Sequence, residues 1–137
     1  MRPRVHDERR VLVIEDEDAI GRVVVDALAD EGYTVRHARN GREALDVLRG
    51  WTPRLILLDL MMPVMDGRAF RAEQRRLAGA AARVPVLVLS GAREARARAD
   101  ELGAVEALSK PFDLGELVAA VGRWVRPGPC PADEPQR

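Results

Sequence analysis

The sequence predicts an α/β fold in which a parallel β-sheet is covered by helices on both faces. Two observations carry this prediction. Short apolar runs alternate five times with segments whose apolar residues recur at helical spacing. The run at residues 55–58 has no polar alternation at all, which is typical of a strand buried on both faces of a parallel sheet. Because strands and helices alternate, we expect right-handed crossovers and a doubly wound sheet.

Each predicted strand is followed by a helix with its own start or stop signal. The strands are predicted at residues 11–14, 33–38, 55–58, 84–89 and 104–108. The helices are predicted from about Asp18 to Glu31, from Asn40-Gly41 to Gly50, through Ala69 to Leu77 with an end at Gly79, over residues 92–102, and after Pro111 as far as Val125. Asp18 or a neighbour is expected to cap the first helix. The helix at residues 92–102 has a thin apolar stripe and is expected to pack weakly.

Length and composition indicate one domain. They show neither a strongly basic balance of charges nor an apolar targeting segment. The 137 residues include 22 basic and 22 acidic side chains, so the formal net charge is zero and no nucleic-acid-binding footprint is expected. Residues 1–8 are interpreted as an extension, 9–126 as the domain and 127–137 as a disordered Pro-rich tail. No signal peptide or membrane span is found, and the single cysteine, Cys130, agrees with a reducing compartment. We expect a cytoplasmic protein that is a monomer or weak dimer.

Polar residues follow the apolar strands where a hydrophobic core does not need them. Glu15 and Asp16 follow the first strand, Asp59 the third, Ser90 the fourth and Lys110 the fifth. The carboxyl ends of parallel strands lie along one edge of the sheet, where ligands bind in open α/β folds. We therefore expect three carboxylates, a hydroxyl and an ammonium group to converge there. His6 and His37 lie at no metal-ligand spacing, and no role is predicted for them.

This set of residues indicates phosphoryl chemistry with a divalent cation. Three carboxylates held together repel one another, and a hard cation such as Mg²⁺ relieves the repulsion while accepting a phosphate oxygen as a further ligand. A carboxylate such as Asp59 can act as the nucleophile, with Lys110 neutralising charge and Ser90 donating to a phosphoryl oxygen. Gly91 has no side chain and leaves space beside Ser90.

The motifs resemble those of the receiver domain of two-component response regulators. Glu15-Asp16 resemble the acidic pair of that family, Asp59 its phosphoacceptor, Ser90 its switch residue, and Lys110-Pro111 its lysine with a following cis-proline bond. The resemblance covers about residues 9–126. It implies a flavodoxin-like receiver fold with five helices around a five-stranded parallel sheet in the order 2-1-3-4-5.

The resemblance also implies a function and a role for each site residue. Asp59 would accept a phosphoryl group from a histidine kinase or a histidine phosphotransfer protein. Mg²⁺ would be held by Asp16 and Asp59, by the backbone carbonyl of Met61, and by Glu15 directly or through water. Such a domain is a phosphoacceptor with weak self-catalysed phosphorylation and dephosphorylation rather than an enzyme. It would signal by binding a downstream protein that the sequence does not name, without direct DNA or membrane binding.

One departure from the family pattern stays open, and of two rival functions one stays open. The family usually has an aromatic switch residue three positions before the lysine, where this chain has Ala107, so altered output is expected. A phosphatase of the haloacid dehalogenase type needs a second Asp two residues after the nucleophile, where this chain has Met61. The remaining rival is a receiver-like interaction module that works without phosphorylation.

Overall fold

The structure, a computed structural model, describes residues 9–60, 67–91 and 95–125. The strands in this part of the chain are β1 (Arg10–Ile14), β2 (Thr34–Ala38), β3 (Leu55–Asp59), β4 (Val86–Ser90) and β5 (Glu106–Ser109). The helices are α1 (Asp18–Asp30), α2 (Gly41–Leu48), α3 (Gly67–Arg75), α4 (Ala95–Leu102) and α5 (Leu114–Gly122), and a 3₁₀ helix covers Gly79–Arg83. The predicted extension and tail lie outside the described residues.

The five strands form one parallel sheet in the order β2-β1-β3-β4-β5. This confirms the predicted architecture and strand order. Every residue of β3 and β4 is buried, so the apolar runs that predicted them form the centre of the sheet. Strand β4 begins two residues later than predicted, at Val86, and β5 begins at Glu106 rather than at residue 104.

Alternate side chains of the strands point into two separate cores. One face packs against α1 and α5, through side chains that include Val24, Leu28, Leu117 and Val121. The other face packs against α2, α3 and α4, through side chains that include Leu45, Phe70, Ala99 and Leu102. Among the described side chains of α4, only Ala99 and Leu102 are buried, in keeping with the thin apolar stripe.

Side-chain hydrogen bonds cap two of the described helices, α2 and α5, but not α1. Asn40 accepts a hydrogen bond from the backbone N–H of Glu43 at the start of α2. Asp113 and Glu116 form a reciprocal capping box at the start of α5. The sequence predicts a cap by Asp18 or a neighbour, and the neighbour Glu17 occupies the capping position of α1, but without a side-chain hydrogen bond. Asp18 is the first residue of the helix, and its carboxylate pairs with Arg39 at 3.0 Å.

The third helix ends earlier than predicted because its last turn is tied to the following segment. Helix α3 ends at Arg75, and residues 79–83 form the 3₁₀ helix. Gln74 is fully buried and donates to the carbonyl oxygens of Ala81 and Val84 at 3.0 and 3.1 Å. Arg71 is also buried, and it donates to Gln74 at 2.7 Å and to the carbonyl oxygen of Leu102 at 2.9 Å. These bonds fold the chain back at Gly79 and hold the end of α4 against α3.

Candidate functional site

The predicted site residues lie at the carboxyl-terminal edge of three neighbouring strands. Glu15 follows β1, Asp59 is the last residue of β3, and Ser90 is the last residue of β4. Strands β1, β3 and β4 are adjacent in the sheet, with Ile14 paired to Leu58 and Asp59 paired to Leu89. The topology alone therefore brings the three side chains to one edge.

Three carboxylates form a cluster that can hold a metal ion. Glu15, Asp16 and Asp59 each offer a carboxylate oxygen, and these oxygens lie within 4.8 Å of one another. Glu15 and Asp59 are 1% and 3% exposed, whereas Asp16 faces solvent. All-oxygen ligands with one side open to water suit a hard divalent cation that keeps part of its hydration shell.

Lys110 faces the two buried members of the cluster. Its Nζ lies 3.3 Å from Glu15 Oε1 and 3.3 Å from Asp59 Oδ2. Burial lowers the pKa of Lys110, but the Asp59 and Glu15 carboxylates outweigh it and the pKa is raised overall. Lys110 is therefore a fixed positive charge at the cluster. It follows β5 directly, and its peptide bond to Pro111 is cis, as expected from the resemblance.

Burial and charge repulsion within the acidic cluster shift the pKa of Glu15. Burial and, next, the neighbouring Asp59 charge raise the pKa of Glu15 to about 7, against the opposing effect of Lys110. A Glu15 backbone N–H bond to the carbonyl oxygen of Ala38 fixes its main chain at 3.0 Å. Two buried carboxylates beside a single ammonium group hold a proton near neutral pH, and a divalent cation would displace that proton.

Ser90 and Ala107 lie on the next two strands. Ser90 is 2% exposed, and its backbone carbonyl oxygen accepts from the N–H of Lys110 at 2.9 Å. Among the described residues, a Cβ added at Gly91 would come near Lys110 Cβ alone, at 3.8 Å. Ala107 pairs with Val88 on β4, and the small side chain is half-buried against the core that α2, α3 and α4 cover.

Sequence reasoning missed His37, which supports the cluster from β2. Its Nε2 donates to the backbone carbonyl oxygen of Glu15 at 2.8 Å. Helix α1 approaches this ring closely, since a Cβ at Gly21 would lie 2.3 Å from His37 Cε1. The interpretation of His37 as a residue without a role is therefore wrong. A glycine inside the predicted first helix was the available signal of close packing.

Other predicted residues lie outside the part of the chain that the structure describes. These are Met61, whose backbone carbonyl was expected to bind the metal, together with His6 and Cys130. The described site thus consists of Glu15, Asp16, Asp59, Ser90 and Lys110. Among the described residues, no helix is both long enough and apolar enough to cross a membrane.

A comparison with protein families identifies the fold and the edge residues as parts of a known domain. The family model of the response regulator receiver domain matches residues 11–122. The chain belongs to this family. The match includes every strand from β2 to β5, all five described site residues and all five helices.

Individual relatives agree with this assignment in sequence and in structure. The transcriptional regulatory protein PcoR of Escherichia coli is 37% identical over 120 residues, which cover 86% of this chain and 52% of PcoR. The chemotaxis protein CheY4 of Vibrio cholerae has a TM-score of 0.76 and 31% identity, over 85% of this chain and 98% of that one. Response regulator TrrA of Thermotoga maritima, solved with Mg²⁺-BeF, has a TM-score of 0.74 and 28% identity, over 85% and 99%.

The curated relatives are longer than this chain. The chain spans about half of the length of PcoR and of a probable transcriptional regulator from Porphyridium aerugineum, and 24% of the regulatory protein AtoC of Escherichia coli. The receiver domain is the part that they share with it.

Proposed function

We propose that this receiver domain accepts a phosphoryl group on Asp59 in a Mg²⁺-dependent two-component phosphotransfer. The observation that carries the proposal is the charge arrangement at one sheet edge. Carboxylate oxygens of Glu15, Asp16 and Asp59 lie within 4.8 Å of one another, and Lys110 lies 3.3 Å from two of these residues. A purely structural ion pair needs one carboxylate for one ammonium group, not three.

The residues present fit a magnesium ion. Asp16, Asp59 and Glu15 supply oxygen atoms, and Asp16 is open to solvent, so bound water can complete the coordination. When bound, Mg²⁺ neutralises negative charge on the phosphoryl oxygens. The backbone carbonyl of Met61 is proposed as a further ligand by resemblance to the family. The Mg²⁺-BeF complex of TrrA supports this choice of metal.

Asp59 is the best-placed nucleophile among the three carboxylates. It ends the central strand β3, and Lys110 fixes one of its carboxylate oxygens at 3.3 Å. In the transfer, an Asp59 oxygen forms a bond to phosphorus while the bond from phosphorus to a donor histidine nitrogen breaks. The histidine nitrogen keeps the electron pair of the broken bond. The phosphoryl group is then joined to the Asp59 carboxylate as an acyl phosphate. Lys110 and Ser90 then offer a cation and a hydroxyl to its oxygens.

The donor is proposed to be a histidine kinase or a histidine phosphotransfer protein, as expected for a receiver domain. The domain is proposed to act as a phosphoacceptor rather than as an enzyme with a catalytic cycle. It would gain and lose the phosphoryl group by weak self-catalysis. The phosphorylated state would act by binding a downstream protein. A local charge change beside Ser90, Lys110 and β5 can bias such a surface between two arrangements.

Ala107 sets a limit on how that signal is transmitted. A small side chain on β5 has no ring to move in step with Ser90, so we expect Ser90 and the loop after it to carry the change alone. Ala107→Tyr should increase the difference in partner affinity between the phosphorylated and unphosphorylated forms. Equal differences for both proteins, measured by titration with a captured partner, would remove any role for the missing ring.

The second candidate is an interaction module that works without phosphorylation, which Ala107 alone favours. Intact mass after incubation with acetyl phosphate and Mg²⁺ separates the two. Wild type and the exposed control Asp26→Ala should gain one phosphoryl group, with release of acetate, and Asp59→Ala should gain none. Wild type without an adduct, or an adduct that persists in Asp59→Ala, would contradict the proposal.

A further inference from the structure

The turn between β1 and α1 carries two of the three clustered carboxylates, those of Glu15 and Asp16. The end of the neighbouring strand β2 holds this turn at Glu15. The Glu15 backbone N–H donates to the carbonyl oxygen of Ala38 at 3.0 Å, and the Glu15 carbonyl oxygen accepts from His37 Nε2 at 2.8 Å. Both main-chain polar groups of Glu15 are therefore bonded to β2, one of them through a side chain.

The imidazole takes over where the pairing of the two strands ends. The last paired residues of β1 and β2 are Ile14 and Ala38, so the Glu15 carbonyl lies beyond the ladder. His37 is paired with Val13, on the sheet face that α1 and α5 cover, and its half-buried ring reaches the carbonyl from that face. A carbonyl oxygen only accepts, so Nε2 of the ring carries the hydrogen.

Helix α1 leaves room for the ring at one residue. Gly21 is buried within α1, and a Cβ built there would lie 2.3 Å from Cε1 and 2.4 Å from Nε2 of His37. Alanine is a better helix former than glycine, so helix propensity does not explain a glycine at this position. The space that the imidazole needs does explain it.

The hydrogen bond from His37 also fixes the direction in which Asp16 leaves the turn. The Glu15 carbonyl and the Asp16 N–H belong to one planar peptide unit, so a bond to the carbonyl oxygen restricts rotation of the whole unit. Asp16 is exposed, so packing does not hold its side chain. The distance of its carboxylate from the cluster therefore depends on the backbone of the turn.

The other two carboxylates of the cluster have additional support. Glu15 is bonded to Lys110 Nζ and to the backbone N–H of Glu17, each at 3.3 Å, and Asp59 is the last residue of a fully buried strand. Asp16 is thus the member of the cluster whose position depends most on the orientation of one peptide unit.

We propose that His37 is a positioning residue for the divalent cation, and that it raises the affinity of the site by orienting the Glu15–Asp16 peptide unit. Ligand oxygens that are already in place lose less freedom when an ion binds, and groups that orient ligands contribute to metal affinity for this reason. His37 acts through the backbone and needs no contact with the ion. The inference rests on the proposed magnesium site and concerns its affinity, not the identity of the phosphoacceptor.

Calorimetric titration of the full chain with Mg²⁺ at pH 8, above the pKa of about 7 of Glu15, measures this affinity. His37→Leu keeps a side chain of comparable size without the donor, and the dissociation constant should rise about tenfold. His37→Gln has an amide that can donate to the same carbonyl, so it should recover most of the affinity. Urea unfolding in EDTA gives the folded fraction of each variant, which separates weaker binding from loss of folded protein.

Gly21→Ala tests the same hydrogen bond and leaves the donor in the chain. The added Cβ would displace the His37 ring, so the dissociation constant for Mg²⁺ should rise about as much as in His37→Leu. Gly50→Ala is the matched control, because a Cβ there would meet no atom of the described residues within 4 Å. It should bind Mg²⁺ as wild type does.

Three results would overturn the inference. One is an unchanged dissociation constant in folded His37→Leu, which would limit His37 to a role in the fold. The second is equal loss in His37→Leu and His37→Gln, which would assign the effect to the shape of the ring. The third is wild type that binds no Mg²⁺, which would also remove the proposed function. Phosphorylation of Asp59 with Mg²⁺, together with normal affinity in His37→Leu, would contradict this inference alone.

Discussion

The two edges of the sheet carry charge in opposite ways. At the carboxyl-terminal edge, the acidic Glu15 and Asp59 are almost fully buried and share Lys110. At the amino-terminal edge, Arg54 and Arg83 stand in solvent around an open depression. The same strands support both edges, so the strands do not explain the difference.

The difference shows which charges a fold must compensate. Buried like charges raise the free energy of the folded state unless a proton, a cation or a ligand neutralises them, whereas exposed charges are already solvated. The raised pKa of Glu15 is the sign of this compensation at the acidic edge. Substitutions at the acidic edge should therefore have large effects on stability, and substitutions at the arginine edge small ones.

Removal of the ammonium group at the acidic edge should have the largest effect. Lys110→Met leaves Glu15 and Asp59 buried without a facing cation, so the free energy of unfolding in EDTA at pH 8 should fall by about 2–4 kcal/mol. Urea unfolding measures it. Lys110→Arg, which keeps the charge, should lose much less. A fall below about 0.5 kcal/mol for Lys110→Met would show that solvent already compensates the two carboxylates.

Magnesium should stabilise the folded protein through the same cluster. At a concentration one hundred times its dissociation constant, Mg²⁺ should add about 2.7 kcal/mol to the free energy of unfolding. Asp16 is exposed, so Asp16→Ala should fold normally and lose this gain. Asp26→Ala, an exposed control on α1, should keep it. Thermal unfolding with and without EDTA measures both, and equal stabilisation of Asp16→Ala would exclude the cluster as the binding site.

The pH dependence of stability should trace to Glu15. Because the pKa of Glu15 is raised to about 7 in the folded protein, the folded state holds its proton more tightly than the unfolded state does. Stability without metal should therefore fall as the pH rises from about 4.5 to about 7, by about 1–3 kcal/mol, and then level off. Glu15→Gln should flatten this fall. Identical profiles for both proteins would assign the dependence to other groups.

The arginine edge should respond least. Arg54→Gln/Arg83→Gln should change the free energy of unfolding by less than about 0.5 kcal/mol, because both side chains are exposed. At low salt, removal of two like charges can slightly increase the free energy of unfolding. A loss of more than about 1 kcal/mol in urea unfolding would show that these arginines support the fold, and the contrast between the two edges would fail.

Sequence reasoning identified the elements and the acidic edge because both depend on general rules. Apolar periodicity is local, and parallel strands bring their carboxyl ends together wherever those ends lie in the chain. Lys110 and Glu15 are 95 positions apart, yet the rule places them at one edge. The strand order itself came only from resemblance to the family.

The contacts that were missed depend on register and on buried polar side chains. His37 reaches the Glu15 carbonyl oxygen because β2 pairs with β1 in one particular register, with Val13 opposite His37. Arg71 looks like a surface residue of an amphipathic helix, but its partner Leu102 is 31 positions away. The sequence also did not predict the ion pair between Asp18 and Arg39, which are 21 positions apart.

The central claim is that Asp59, the neighbouring acids and Lys110 act as one phosphoryl site. Amide NMR of the full chain with Mg²⁺ and beryllofluoride, a mimic of the phosphoryl group, tests it most directly. We predict saturable shifts at Ser90 and Lys110 in wild type, no such shifts in Asp59→Ala or without Mg²⁺, and unchanged signals at Arg54 and Arg83. The same shifts in Asp59→Ala, or none in wild type, would contradict the account.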